Sequence, residues 1–178
     1  MLNVKEKAQK SFETLKGVFG YKNALQAPRL TKVVLSVGTG GAVKKDKNKN
    51  DFISGRLARI SGQKPALRQA KKSISSFKIR QGDPIGVSVT LRGPRMYQFL
   101  DKLFSIALPR TKDFRGIDRK IVDDIGNVTI PIKEHTIFPE TSDEELKDVF
   151  SMAVTIVSTA KTKEEGMKFY ELIGVPFK

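Results

Sequence analysis

Apolar residues form one face in three predicted helices of the chain. The apolar positions predict amphipathic helices at residues 2–17, 51–60 and 93–109, and start and stop signals predict a fourth helix at 163–173. The third helix begins at Gly93 and Pro94, because proline is tolerated at the first helical position. The fourth has Thr162 and Glu165 at the spacing of a capping box, and Gly174 is its stop signal.

Other segments alternate between apolar and polar residues, as strands do. Strands are predicted at residues 29–37, 65–72, 85–92, 126 to just beyond 131, and 151–158. The third strand has the clearest period of two, with Val87, Val89 and Leu91 on one side and Ser88, Thr90 and Arg92 on the other. In the first strand the residues expected to face the core are Thr31, Val33, Leu35 and Val37, and those expected on the opposite side are Lys32, Val34 and Ser36.

The order of these segments predicts an α+β fold. It is expected to contain a mainly antiparallel sheet of about five strands with helices packed on one face. A chain of 178 residues is within the usual size of one domain, so a single domain is expected over residues 1–178, with a long basic loop at residues 73–84. The other face of such a sheet is left to water or to a ligand.

Positive charge changes this picture, because it is concentrated in one stretch. The chain has 33 Lys and Arg against 19 Asp and Glu, for a net charge of +14. Residues 62–95 hold eight of these cations and a single acid, Asp83. A surface of this kind favours a phosphate-rich partner, with nucleic acid as the first hypothesis. No basic amphipathic helix, lipid anchor, spanning segment or signal peptide is evident, so we expect a cytoplasmic protein with no membrane partner.

Catalytic chemistry has little support in the sequence. With no cysteine and one histidine, His135, the chain lacks thiol nucleophiles and multi-histidine metal sites, and we expect no metal, no cofactor and no enzymatic activity. His135 is expected to be structural or at the surface. The GTGG segment at residues 38–41 matches neither phosphate-loop fingerprint and is interpreted as a turn. Two alternatives stay open, an RNA-processing enzyme with an unrecognised carboxylate site and a general polyanion-binding protein.

Five motifs carry a resemblance to a known family. They are ISGQKP at 60–65, AKKSISSFKIRQGDPIGVSVTLRG at 70–93, DFRG at 113–116, IFPE at 137–140 and TAKTKEEG at 159–166. In this order and spacing they resemble the bacterial ribosomal large-subunit protein five family, the 5S-rRNA-binding family. The resemblance covers essentially the whole chain. It implies a structural RNA-binding protein of the central protuberance, with 5S rRNA and the 23S rRNA of the large subunit as partners.

The resemblance also implies which residues meet RNA. The polar sheet face and its adjoining loops would bind 5S rRNA through Lys32, Ser36, Gln63, Lys64, Arg68, Thr90 and Arg92. Two of these depart from the family pattern, because Ser36 stands where asparagine is general and Arg68 where a small hydroxylated residue is usual.

Two further surfaces are implied by the same resemblance. The loop between the second and third strands would reach the P-site tRNA with Ser75, Ser76, Phe77, Lys78 and Arg80. An intersubunit bridge to the small-subunit ribosomal protein thirteen would use Arg110, Lys112, Arg115, Glu140, Asp143 and Glu144.

Overall fold

The computed structural model describes residues 3–41, 48–112, 114–142 and 148–178. Its helices are α1 (Val4–Phe19), α2 (Lys49–Ser61), α3 (Gly93–Lys102) and α4 (Lys163–Ile173). Its strands are β1 (Leu30–Gly38), β2 (Ala66–Gln69), β3 (Pro84–Leu91), β4 (Val128–Ile132) and β5 (Met152–Ser158). The predicted α+β class and the predicted order of helices and strands are confirmed.

The five strands form one open antiparallel sheet in the order β2-β3-β1-β5-β4. Burial alternates along β1, β4 and β5, as expected for a sheet with one face on the core. In β4, for example, Val128, Ile130 and Ile132 are buried, whereas Thr129 and Pro131 are exposed. In β1, Val33, Leu35 and Val37 are buried as predicted.

Local signals in the sequence set the ends of α4. The Thr162 hydroxyl accepts a hydrogen bond from the Glu165 N–H at 3.3 Å, which satisfies one of the free donors of the first turn. Gly174 ends the helix in the left-handed conformation, with φ of 97°. The Glu165 carboxylate, however, accepts from the Lys161 N–H at 2.6 Å instead of completing the capping box at Thr162.

Three details of the secondary structure differ from the prediction. Thr31 is exposed, not core-facing. The second strand is shorter than predicted, because the pairing of β2 with β3 shifts register between Arg68 and Gln69. Beyond α3 the chain continues as a π-helical turn, Leu103–Ala107, and a 3₁₀ turn, Leu108–Arg110, so the helical run ends close to the predicted Pro109.

The chain divides into two compact units. The first contains residues 1–33, 92–130 and 155–178, and includes α1, α3 and α4. Its contacts include a hydrogen bond of 2.8 Å from the Val4 N–H to the Asp101 carboxylate, which ties the start of α1 to α3. The buried Tyr170 donates to the Ile156 carbonyl at 3.1 Å, and burial raises the pKa of this phenol.

Two close contacts of the first unit involve residues far apart in sequence. Tyr21 donates a hydrogen bond to the buried Glu165 carboxylate. Burial, followed by this hydrogen bond and the negative charge of Glu165, raises the pKa of Tyr21 above its ordinary value. Gly126 and Gly166 also meet backbone to backbone, since a Cβ added at Gly166 would lie 2.6 Å from the Gly126 Cα.

The second unit contains residues 34–91 and 131–154 and includes α2, β2 and β3. His135 is 0% exposed in this unit and stacks on Phe150, with 4.0 Å between ring centroids. The Phe150 N–H donates to His135 Nδ1 at 3.3 Å, so the neutral imidazole has its proton on Nε2. The expectation of a structural histidine is therefore supported by its packing.

Candidate nucleic-acid interface

The C-terminal cap of α2 fixes the backbone position of Gln63, which follows that helix. Gly62 adopts a left-handed conformation with φ of 67°, and its N–H donates to the Ala58 carbonyl at 2.8 Å. The Ser61 hydroxyl donates to the Leu57 carbonyl at 2.6 Å and accepts from the Gln63 N–H at 3.3 Å. The backbone at Gln63 is thus fixed before its side chain reaches β3.

The Gln63 side chain lies against Thr90. Its Nε2 donates to the Thr90 carbonyl at 3.2 Å, across 27 positions of sequence. This bond uses one of the two N–H donors of the Gln63 amide. The second N–H donor and the amide oxygen are left to bind a ligand. Both side chains are half-buried. The structure therefore brings together two residues that the sequence assigned to one surface.

The pairing of β1 with β3 places Ser36 near the same group. The Thr39 N–H donates to the Ile85 carbonyl at 2.8 Å. Counting back from this bond along antiparallel strands, we infer that Ser36 lies opposite Ser88. Ser36 is half-buried and lines a groove of about 370 Å³ with Lys133 and Ser151. Neither of these two residues was predicted, because each lies near the end of its strand without a motif around it.

Arg68 is anchored on the polar side of β3. It lies on β2 opposite Gly86, and its Nε donates to the Ser88 hydroxyl at 2.6 Å. Ser88 is buried under this contact, although the alternation of β3 puts it on the polar side. The sequence placed Arg68 among the RNA-binding residues but gave no sign of its partner.

The other predicted rRNA-binding residues are also accessible. Lys64 is exposed and belongs to the second unit, with Ser36, Gln63, Arg68 and Thr90. Lys32 is half-buried and Arg92 is exposed, and both belong to the first unit.

The basic loop after β2 is a closed hairpin. Ile74 and Ile79 exchange two backbone hydrogen bonds of 2.9 and 3.2 Å, and the Lys78 N–H donates to the Ser75 carbonyl at 2.9 Å. The tip therefore consists of Ser75, Ser76, Phe77 and Lys78, and the Phe77 ring is 61% exposed. Lys78 has a positive φ of 50°. Arg80 lies below the tip, where its N–H donates to the Asp83 carboxylate at 2.7 Å.

The residues proposed for an intersubunit bridge fall into both units. Arg110, Lys112 and Arg115 are exposed in the first, and Glu140 is exposed in the second. Asp143 and Glu144 lie outside the described residues.

Asp123 and His135 have local structural roles. Asp123 accepts from the Asn127 N–H at 2.5 Å and from its side-chain amide at 3.1 Å, which closes the turn before β4. Within the described ranges, no group of three or more His, Asp or Glu is arranged to hold a metal ion. Across that same part of the chain, no helix is long and apolar enough to span a membrane.

These features define a class of protein. The amide of Gln63, the hydroxyl of Ser88 and the guanidinium of Arg68 lie on or beside β3 in a strongly basic chain, and Asp123 stabilises a turn. Such a surface is typical of structural proteins that bind nucleic acid, because RNA is recognised largely through phosphate, sugar and loop-base contacts.

Comparison with known proteins identifies the family. Residues 23–80 match the family described as Ribosomal protein L5, and residues 84–177 match the model of the C-terminus of the same ribosomal family. The large ribosomal subunit protein uL5 of Caldanaerobacter subterraneus subsp. tengcongensis is 48% identical over 178 residues, covering 99% of each chain. That of Heliobacterium modesticaldum is 48% identical over 179 residues, covering 100% of this chain and 99% of the relative. That of Desulfatibacillum aliphaticivorans is 50% identical over 160 residues, covering 90% of this chain and 89% of the relative.

The chain belongs to the ribosomal protein L5 family. It is therefore a structural protein of the large ribosomal subunit, and the predicted resemblance is confirmed. Because the family is one of structural ribosomal proteins, the family match also confirms the prediction that the chain is not an enzyme.

Proposed function

We propose that this protein binds 5S rRNA in the central protuberance of the large subunit, next to 23S rRNA. Ser36, Gln63, Lys64, Arg68 and Thr90 of the second unit contact the RNA, and Lys32 and Arg92 add positive charge from the first. The observation that carries the proposal is the hydrogen bond from the Gln63 side chain to the Thr90 backbone carbonyl, because it holds the Gln63 amide beside Thr90 at the end of a rigid strand. Family membership and the basic stretch at residues 62–95 support it.

Thr90→Ala is expected to weaken binding of 5S rRNA about five-fold, the equivalent of one hydrogen bond of about 1 kcal/mol. The Thr90 backbone carbonyl survives this change and still accepts from Gln63, so the melting temperature should stay close to that of the wild type. Filter binding at fixed salt measures the affinity. Gln63→Ala is a less selective test, since it also removes the bond between α2 and β3.

Thr14→Ala is the matched control, because Thr14 is an exposed threonine of α1 outside the proposed surface. It should bind as the wild type does. Wild-type affinity in Thr90→Ala would show that the RNA surface is misplaced. Equal wild-type affinity for 5S rRNA, duplex DNA and anionic vesicles at matched salt would instead indicate a general polyanion binder.

The closed hairpin is the second part of the proposal, as the segment that contacts P-site tRNA. Its tip exposes an aromatic ring at Phe77, and its cations are Lys78 and Arg80. A base can stack on such a ring, and phosphates are attracted by the two cations. The two mutual bonds of Ile74 and Ile79 keep the tip in one conformation.

The double variant Lys78→Gln, Arg80→Gln is expected to lower the affinity of P-site tRNA for assembled ribosomes several-fold, because it removes two phosphate-binding charges. Binding of 5S rRNA by the free protein should change less than two-fold. The control is Lys71→Gln, Lys72→Gln, which removes equal charge from exposed positions at the foot of the hairpin. An equal loss of 5S rRNA binding in the tip variant would assign the hairpin to the primary RNA site.

An intersubunit bridge completes the proposal. The basic residues Arg110, Lys112 and Arg115 and the acidic Glu140 are accessible to a partner such as small-subunit protein thirteen. A single domain over residues 1–178 stays a prediction.

A further inference from the structure

The Arg68 side chain has an orientation fixed by the protein itself. Its Nε donates to the Ser88 hydroxyl at 2.6 Å, and Ser88 is only 6% exposed. A buried hydroxyl is a rigid partner, since neighbouring atoms limit its movement. The direction of the Arg68 Nε–H bond is therefore set by β3 before any ligand arrives.

Gly86 makes this arrangement possible. It lies opposite Arg68 in the register of β2 and β3. A Cβ at residue 86 would lie 3.6 Å from the Arg68 Cβ and 3.2 Å from the Val37 carbonyl oxygen. Because glycine has no side chain, the arginine can lie across β3 and reach the next residue on the same face, Ser88.

Within the part of the chain that the structure describes, no carboxylate forms an ion pair with the Arg68 guanidinium. Arg68 takes part in none of the ion pairs found there, which include Lys49 with Asp148 and Glu171 with Arg119 and Lys168. The single acid of the basic stretch, Asp83, accepts from the Arg80 backbone instead. One N–H of Arg68 is used at Ser88, which leaves the four N–H groups of its two terminal nitrogens.

Arg68 also lies beside the other groups proposed to contact RNA. Ser88 and Thr90 are two residues apart on one side of β3, a separation of about 7 Å. This is close to the distance between successive phosphates of an RNA strand. A strand that meets Thr90 and Gln63 thus brings a phosphate within reach of Arg68.

We propose that Arg68 and Ser88 form a pre-oriented phosphate fork, in which the two terminal nitrogens of Arg68 bind the non-bridging oxygens of one RNA phosphate. This inference rests on the proposed RNA surface and adds a positioning residue, Ser88, that does not itself touch RNA. A guanidinium is suited to this because its planar donors match two phosphate oxygens at once. Ser88 raises affinity by removing the conformational freedom that Arg68 would lose on binding.

The test is the salt dependence of 5S rRNA binding by the full-length protein. Arg68→Gln should lower the slope of log affinity against log salt by about 0.7 to 0.9, the value for one phosphate contact. Ser88→Ala and Arg68→Lys keep the positive charge, so both should keep the wild-type slope while binding about three- to five-fold more weakly. The double variant Arg68→Gln, Ser88→Ala should bind no more weakly than Arg68→Gln alone.

Three results would overturn the inference, and they are distinguishable. A wild-type slope in Arg68→Gln, with weakened binding, would assign the arginine to a base edge instead of a phosphate. Wild-type affinity in Ser88→Ala would show that the arginine needs no anchor. If Arg68→Gln binds as wild type but Thr90→Ala does not, only the fork is wrong; if both bind as wild type, the RNA surface is wrong. Melting temperatures within about 2 °C of wild type ensure that each variant is folded.

Discussion

Gly166→Ala is expected to destabilise the protein by about 3 kcal/mol, the largest effect of any single substitution considered. A Cβ at residue 166 would lie 2.6 Å from the Gly126 Cα and 3.0 Å from its carbonyl oxygen, both backbone atoms that cannot rotate away. Alanine is otherwise favoured over glycine inside a helix by about 1 kcal/mol, so the steric cost must exceed that gain. Urea denaturation of the two proteins measures the difference.

Gly17→Ala is the matched control, because Gly17 is also within a helix, α1, and a Cβ there would meet nothing within 4 Å. This variant should be as stable as the wild type or more stable by up to about 1 kcal/mol. If Gly166→Ala were as stable as Gly17→Ala, the backbones of α4 and the turn at Gly126 would have to lie farther apart than described.

Glu165→Ala is expected to cost about 2 kcal/mol. The carboxylate is 6% exposed and accepts from the Tyr21 hydroxyl and the Lys161 N–H, so its removal leaves two donors without their acceptor. The neighbouring Glu164 also lies in the first turn of α4 but is exposed. Glu164→Ala should therefore change stability by less than about 0.5 kcal/mol.

A spectroscopic measurement separates the loss of this contact from general destabilisation. Burial is the main reason that the pKa of Tyr21 is raised, and the hydrogen bond to Glu165 and the negative charge of Glu165 raise it further. In folded Glu165→Ala protein the pKa of Tyr21 should fall towards its ordinary value, whereas burial keeps part of the shift. NMR of ring-labelled tyrosine as a function of pH follows this ionisation. An unchanged Tyr21 titration would show that the two residues are not in contact.

The sequence predicted well where local signals set the structure. The bounds of α4 match the prediction because a capping residue and a stop glycine lie at the two ends of one short segment. The prediction placed the end of β2 too far along the chain. Ala70 still exchanges backbone hydrogen bonds with Asp83 and Gly82, but the register of the strand pair has already shifted, and such a shift leaves no mark on the hydrophobic pattern.

For the candidate site, residue types were predictable and partners were not. Gln63, Thr90 and Arg68 were selected by a family motif and by charge. The bond from Gln63 to Thr90 and the anchoring of Arg68 on Ser88 join residues 27 and 20 positions apart, so they depend on strand register. The contact of Tyr21 with Glu165 joins residues 144 positions apart and has no signature at either end.

The buried His135 and Tyr170 give each compact unit an intrinsic reporter. His135 is the single histidine of the chain and lies in the second unit, so its imidazole resonances are assigned without mutagenesis. Tyr170 is 0% exposed in the first unit, so its ring meets solvent when that unit unfolds. Following both signals through one denaturant titration shows whether the units unfold together or in sequence, without any added label. Coincident transitions would indicate one cooperative domain.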